Sequence, residues 1–251
     1  MTTLRDRTWL WGTKVNALEK FGLDESRMTI GQGLQNLGLK NSMMCGFLPP
    51  TEEEYAQVSH CENLLWEMSF DEGFEFERPL APILDLHVRH PNVRGVLLDD
   101  FTSTEIDRGA KPDLLVRMRE AMPESAELWI VAYLHNLDIP DISEYLKLVD
   151  GISFWVWHGR DLERLDECTA QCHEMSGGKP QITGLYFYDF GVGKQLTPDQ
   201  MVMQLETGAR LVESGASEGI CLLGSPIMDI GLDTIDVTKN WLDRNGDRPC
   251  R

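Results

Sequence analysis

The chain of 251 residues lacks any uninterrupted apolar run of the ~18 residues that a bilayer crossing requires, and no charged-then-apolar leader precedes Trp9. These absences argue against a membrane span and lead us to expect a cytoplasmic protein. Positive charge is scarce as well: 23 basic residues stand against 41 acidic ones, a formal charge of −18 with a pI near 4.6. Such a surface repels phosphate backbones and anionic lipid, which disfavours nucleic acid and membrane as partners. The six cysteines include no C-x-x-C. Cys168 and Cys172 are spaced as free thiols on one helix, without the Cys/His clustering of a zinc site, and suit a reducing compartment.

A Gly-rich phosphate turn is missing too. The first strand candidate runs into Trp11-Gly12-Thr13-Lys14, with no G-x-G-x-x-G, which argues against a doubly wound nucleotide-binding sheet. No linker, low-complexity tract or sequence repeat divides the chain, so residues 1–251 are expected to form a single domain. No pattern specifies an oligomeric state.

What is present is a repeated alternation. Short apolar strands are expected at 8–11, 42–45, 63–66, 94–98, 128–134, 151–157, 181–188 and 218–223. Helical pattern fills the intervals. Thr51-Glu52-Glu53-Glu54 has the form of a capping box, and Thr197-Pro198-Asp199-Gln200 adds a proline preset at the first helical position. After Thr197 the apolar residues Met201, Leu205, Ala209 and Val212 recur every three or four positions, and Gly215 follows as a left-handed cap. Alternating strands and helices imply parallel pairing. Eight such units in 251 residues predict an α/β fold, a single (β/α)8 TIM barrel whose ring closes by pairing residues 8–12 with 218–223.

In such a barrel the reactive groups lie where strands end. The fourth strand ends abruptly in Asp99 and Asp100, directly after Val96-Leu97-Leu98, where a charge is costly unless it meets water, a partner or a substrate. Glu67 ends the third strand and Asp189 the seventh, giving four candidate catalytic carboxylates. Two carboxyl groups facing each other across a glycosidic bond suffice to hydrolyse it. Trp11, Trp66, Tyr133, Trp155, Trp157 and Tyr188, with His135, Asn136 and His158, are candidate substrate contacts. Aromatic faces suit the C–H faces of a sugar, and polar groups suit its hydroxyls. Each has a plainer reading. Glu67 could pair with Arg94 or Arg78, Asp189 could cap the turn at 190–193, and individual rings could be core.

Through Gly95-Val96-Leu97-Leu98-Asp99-Asp100-Phe101, Trp155-Val156-Trp157 and Tyr186-Phe187-Tyr188-Asp189, the chain resembles the broad class of (β/α)8 glycoside hydrolases. The resemblance implies a catalytic Asp at the end of the fourth strand, at Asp99 or Asp100, acting on a small-molecule or oligosaccharide substrate without metal or cofactor. The Asn-Glu pair of one large clan and the D-x-x-D-x-D-x-E run of chitinase-like enzymes are absent, so no single family is indicated. Two alternatives stay open. One is a metal-dependent sugar isomerase or epimerase using Glu67, Asp100, His158 and Asp189 as ligands; the other is a non-catalytic carbohydrate-binding barrel. A Schiff-base aldolase is disfavoured because no lysine lies within a strand. A phosphosugar enzyme would need the glycines at 191–194 and 224–226 as a nest.

Overall fold

The helix-start signals act as their chemistry predicts. Thr51 N–H donates to the Glu54 carboxylate at 3.0 Å while Glu54 N–H donates to Thr51 Oγ1 at 3.2 Å. Thr197 and Gln200 make the same reciprocal pair, and the helix they open ends at Gly215 in the left-handed region, φ 80°. A third box, Thr29 with Gln32, opens the first helix. In this computed structural model, which describes residues 2–250, eight barrel strands alternate with eight α-helices, three of them opened by these boxes.

The strands are β1 (Thr8–Gly12), β2 (Asn41–Met44), β3 (Asn63–Glu67), β4 (Val93–Leu98), β5 (Glu127–Tyr133), β6 (Gly151–Trp155), β7 (Gln181–Tyr186) and β8 (Gly219–Leu223). Each is followed by one helix: α1 (Ile30–Leu37), α2 (Glu52–Ala56), α3 (Glu77–Arg89), α4 (Pro112–Ala121), α5 (Ile142–Leu146), α6 (Leu165–Met175), α7 (Pro198–Ser214) and α8 (Asp233–Asn245). All strand pairs are parallel and consecutive, and β1 returns to β8 with Thr8 opposite Ile220 and Trp11 opposite Leu223. The ring is closed, as the alternation predicts.

Large rings fill the barrel where glycines give them room. A Cβ on Gly184 of β7 would overlap the indole of Trp155, and one on Gly151 of β6 would overlap that of Trp129. Both indoles are fully buried, each removing apolar surface worth several kcal/mol at about 25 cal/mol per Å².

Two strands are shorter than the pattern suggests. β6 stops at Trp155, short of the turn Gly159–Arg164, and β7 stops at Tyr186, after which Tyr188–Asp189 pairs antiparallel with Lys194–Gln195 in a small hairpin beyond the barrel rim. The cysteines of the described residues are all free, Cys168 and Cys172 both buried on α6. No helix of the described residues is long and apolar enough to cross a membrane.

Candidate active site

A cavity of about 640 Å³ opens at the C-terminal ends of the strands, within the range of ligand pockets. Its acids come from the ends of β3 and β4. Side chains alternate along a strand, so two adjacent aspartates reach the same cavity only if the strand has ended, and here it has. β4 stops at Leu98, and Asp100 takes a left-handed conformation, φ 52°, that turns the chain into the single wide helical turn Phe101–Glu105. Asp100 N–H donates to Asp99 Oδ1 at 2.9 Å, and the Tyr133 hydroxyl donates to Asp100 Oδ1 at 3.1 Å. Glu67 reaches in from β3, its carboxylate accepting the Gly46 N–H. It meets neither Arg94, which pairs with Glu127 at 2.7 Å, nor Arg78, which pairs with Asp71.

The acids differ in setting. Asp100 is exposed and Asp99 half-buried. Burial, then the neighbouring charges of Asp100 and Glu67, push the Asp99 carboxyl well above the usual carboxylate range. Burial raises Glu67 as well, Gly46 opposing it and Asp100 adding to it. The same surroundings raise the Tyr133 and Tyr186 hydroxyls, burial leading in both. His135 is lowered by burial and by His158, against the pull of Asp100.

Around the acids stands an aromatic wall. Trp11 meets Trp155 edge-on at 5.3 Å, Trp155 lies 5.0 Å from Tyr186, and Trp157 lies 6.0 Å from Tyr186 and 5.6 Å from Phe190. His135 stacks on Tyr133 at 5.3 Å. Of the residues named from sequence, Glu67, Asp99, Asp100, Trp11, Tyr133, His135, Trp155 and Trp157 line the cavity.

Five others are placed elsewhere. Trp66 precedes Glu67, so alternation turns it away from the cavity; fully buried, its Nε1 donates to Phe47 O at 2.8 Å. Asn136 is a buried clamp: its Oδ1 accepts the Tyr133 N–H at 2.9 Å and the Thr102 hydroxyl at 2.6 Å, and its Nδ2 donates to Ser103 Oγ at 3.1 Å. His158 packs against Gly191 with Nδ1 buried and unpartnered. Tyr188 enters the hairpin, its ring 5.3 Å from Phe190. Asp189 caps that hairpin, accepting Gly191 N–H at 3.0 Å on Oδ1 and Gly193 N–H at 2.9 Å on its carbonyl.

Lys20, Phe21, Cys45, Ser103 and Phe190 also line the cavity and were not among the expected contacts. Phe21 and Phe190 come from the loops after β1 and β7 and meet at 5.0 Å; only the length of those loops in sequence hinted at them. Among the described residues no three His, Cys, Asp or Glu side chains are arranged to hold a metal ion. The isomerase ligand set of Glu67, Asp100, His158 and Asp189 is accordingly not assembled.

No protein-family model matches the chain, and no curated protein matches it in sequence. Solved structures do match. The spore cortex-lytic enzyme SleL of Bacillus cereus superposes with a TM-score of 0.62 at 11% identity, over 100% of this chain and 76% of that one. A chitinase from Bacteroides thetaiotaomicron gives 0.64 at 9% identity, over 96% of each chain. The aldolase QR15 gives 0.54 at 13% identity, over 97% of this chain and 98% of that one. What these proteins share with this chain is the (β/α)8 fold. Fold alone leaves the chemistry to be argued from the site.

Proposed function

We propose that the protein is a glycoside hydrolase-like enzyme that cleaves a carbohydrate by carboxylate acid–base catalysis at the C-terminal face of the barrel. The observation that carries this reading is the convergence of Asp99, Asp100 and Glu67 on one aromatic-walled cavity, two of the three pushed towards their protonated forms. A glycosidase needs one carboxyl group that still holds a proton near neutral pH and one that does not. Asp99 fits the proton donor, because burial and two neighbouring acids keep its proton on. Asp100, exposed and oriented by the Tyr133 hydroxyl, fits the carboxylate that attacks the anomeric carbon or activates water. Glu67, its carboxylate oriented by Gly46 N–H, fits a contact to the sugar hydroxyls that also strengthens the proton's hold on Asp99. Trp11, Trp155 and Trp157 supply flat faces for the sugar rings. A cytoplasmic setting belongs to the same proposal and rests on the unbonded cysteines.

Asp100→Asn and Asp99→Asn, assayed on a panel of aryl glycosides and oligosaccharides, should each lose on the order of 10²-fold or more in rate with circular dichroism unchanged. Normal turnover by both variants would sink the proposal. So would parent activity that a chelator abolishes and a divalent ion restores, which is the behaviour of the sugar isomerase alternative.

A further inference from the structure

A second depression, about 430 Å³, adjoins the catalytic cavity. The two share Thr13 and Lys14, so the first residues after β1 form a sill between them. Beyond the sill the floor carries Phe47, whose ring lies 5.7 Å beneath Lys14 Nζ, and Ile30; the sides carry Thr29, Thr51, Glu53, Glu54 and Gln57. The sill itself is pinned. Thr13 N–H donates to Ser225 Oγ at 3.3 Å, tying it to the loop after β8.

Most polar groups here are already engaged. Thr29 and Thr51 cap α1 and α2 with their hydroxyls, and Glu54 is held by Thr51 and lies 3.8 Å from Lys14. Three are not. Thr13 Oγ1 is buried without a hydrogen-bond partner at the junction of the two depressions. Among the described residues, the exposed side chains of Gln57 and Glu53 make no hydrogen bond or ion pair. A buried hydroxyl without a partner is costly and rare. Closed to solvent, that hydroxyl lies within the sill, and the groups open to a ligand are those of Gln57 and Glu53. An apolar floor with uncommitted amide and carboxylate groups around it is the chemistry that receives a neutral sugar ring, whose C–H face and hydroxyls need both.

We propose that this depression is a second carbohydrate subsite, so that an oligosaccharide with one unit against Asp99 and Asp100 continues over Thr13 and Lys14 to lie between Phe47 and Gln57. The inference rests on the glycosidase reading of the main cavity and adds to it a preference for chains over single sugars. Gln57 donates to and accepts from a hydroxyl of the outer unit, and Glu53 accepts from another.

The test is a ladder of β-1,4-linked glucose, xylose and N-acetylglucosamine oligomers of one to five units, titrated against tryptophan fluorescence. In the series that binds, affinity should rise by about fivefold to tenfold at the length that first crosses the sill. Gln57→Ala and Glu53→Ala should remove that increment while leaving the affinity of the shortest binding oligomer unchanged. Affinity flat with length, or a Gln57→Ala variant that weakens short and long oligomers equally, overturns the subsite and leaves the main cavity standing. No binding in any series overturns both.

Discussion

A carboxyl group that shares its surroundings with two others is a poor place for a negative charge, and Asp99 is in that position. The consequence for stability has a definite sign. Asp99 holds its proton more tightly in the folded chain than in the unfolded one. Its contribution is therefore fully present below the ordinary aspartate value of 3.8 and is lost as pH rises through the elevated folded value. At neutral pH the native state therefore bears a cost at that site that the unfolded chain does not. Asp99→Asn keeps the oxygen that accepts from Asp100 N–H and abolishes the ionisation. The variant should melt above the parent at pH 7, each kcal/mol recovered being worth roughly 2–4 °C for a chain of this size, and the gap should close towards pH 4. Paired with the rate loss argued above, this is the trade of stability for function expected of a catalytic acid. A variant less stable than the parent at pH 7 would mean that the charge is used structurally.

Two buried amides do for whole elements what Asp99 does for one site. Gln204, wholly buried on α7, accepts from Tyr186 N–H at 3.1 Å and donates to Tyr186 O at 3.2 Å, standing in for a strand neighbour where β7 ends. Asn136 likewise ties the turn after β4 to the end of β5, fixing Thr102, Ser103 and the backbone of Tyr133 together. Gln204→Leu keeps the volume but strands a buried N–H and a buried carbonyl. It should cost about 1–3 kcal/mol for each group left unsatisfied, read as a lowered denaturant midpoint with unchanged slope. No loss of midpoint would show that β7 holds its end unaided. These clamps were invisible in the sequence because their partners across elements lie 18, 33 and 34 residues away, whereas the signals that could be read are local. The capping boxes at Thr51 and Thr197, the eight-fold alternation and the acids at the ends of β3 and β4 depend on a few neighbouring residues each. Trp66 could have been placed by the same local rule, since Glu67 and its predecessor must face opposite ways. Tyr188 and Asp189 could not, because a hairpin with Lys194 and Gln195 shortens β7 and no periodicity reveals it.

At the scale of the molecule, charge is the property least balanced. The 41 acids exceed the 23 bases by 18, while many of the bases are held in surface ion pairs such as Lys40 with Glu62 and Arg164 with Glu167. The two features respond differently to salt. An exposed pair at hydrogen-bond distance contributes only ~0–1 kcal/mol and involves charges closer than a screening length, so added salt weakens it little in absolute terms. The excess acids repel one another over longer distances, and the screening length falls from ~30 Å at 0.01 M to ~10 Å at 0.1 M, removing most of that repulsion first. Sodium chloride raised from 10 to 200 mM at pH 7 should therefore raise the melting temperature by roughly 2–4 °C, equivalent to about 1 kcal/mol. The same rise should shrink at pH 5, where protonation begins to cut the acidic excess. A melting temperature that falls with salt would reverse the ranking and show that the local pairs, and with them the particular placement of bases among acids, outweigh the net charge.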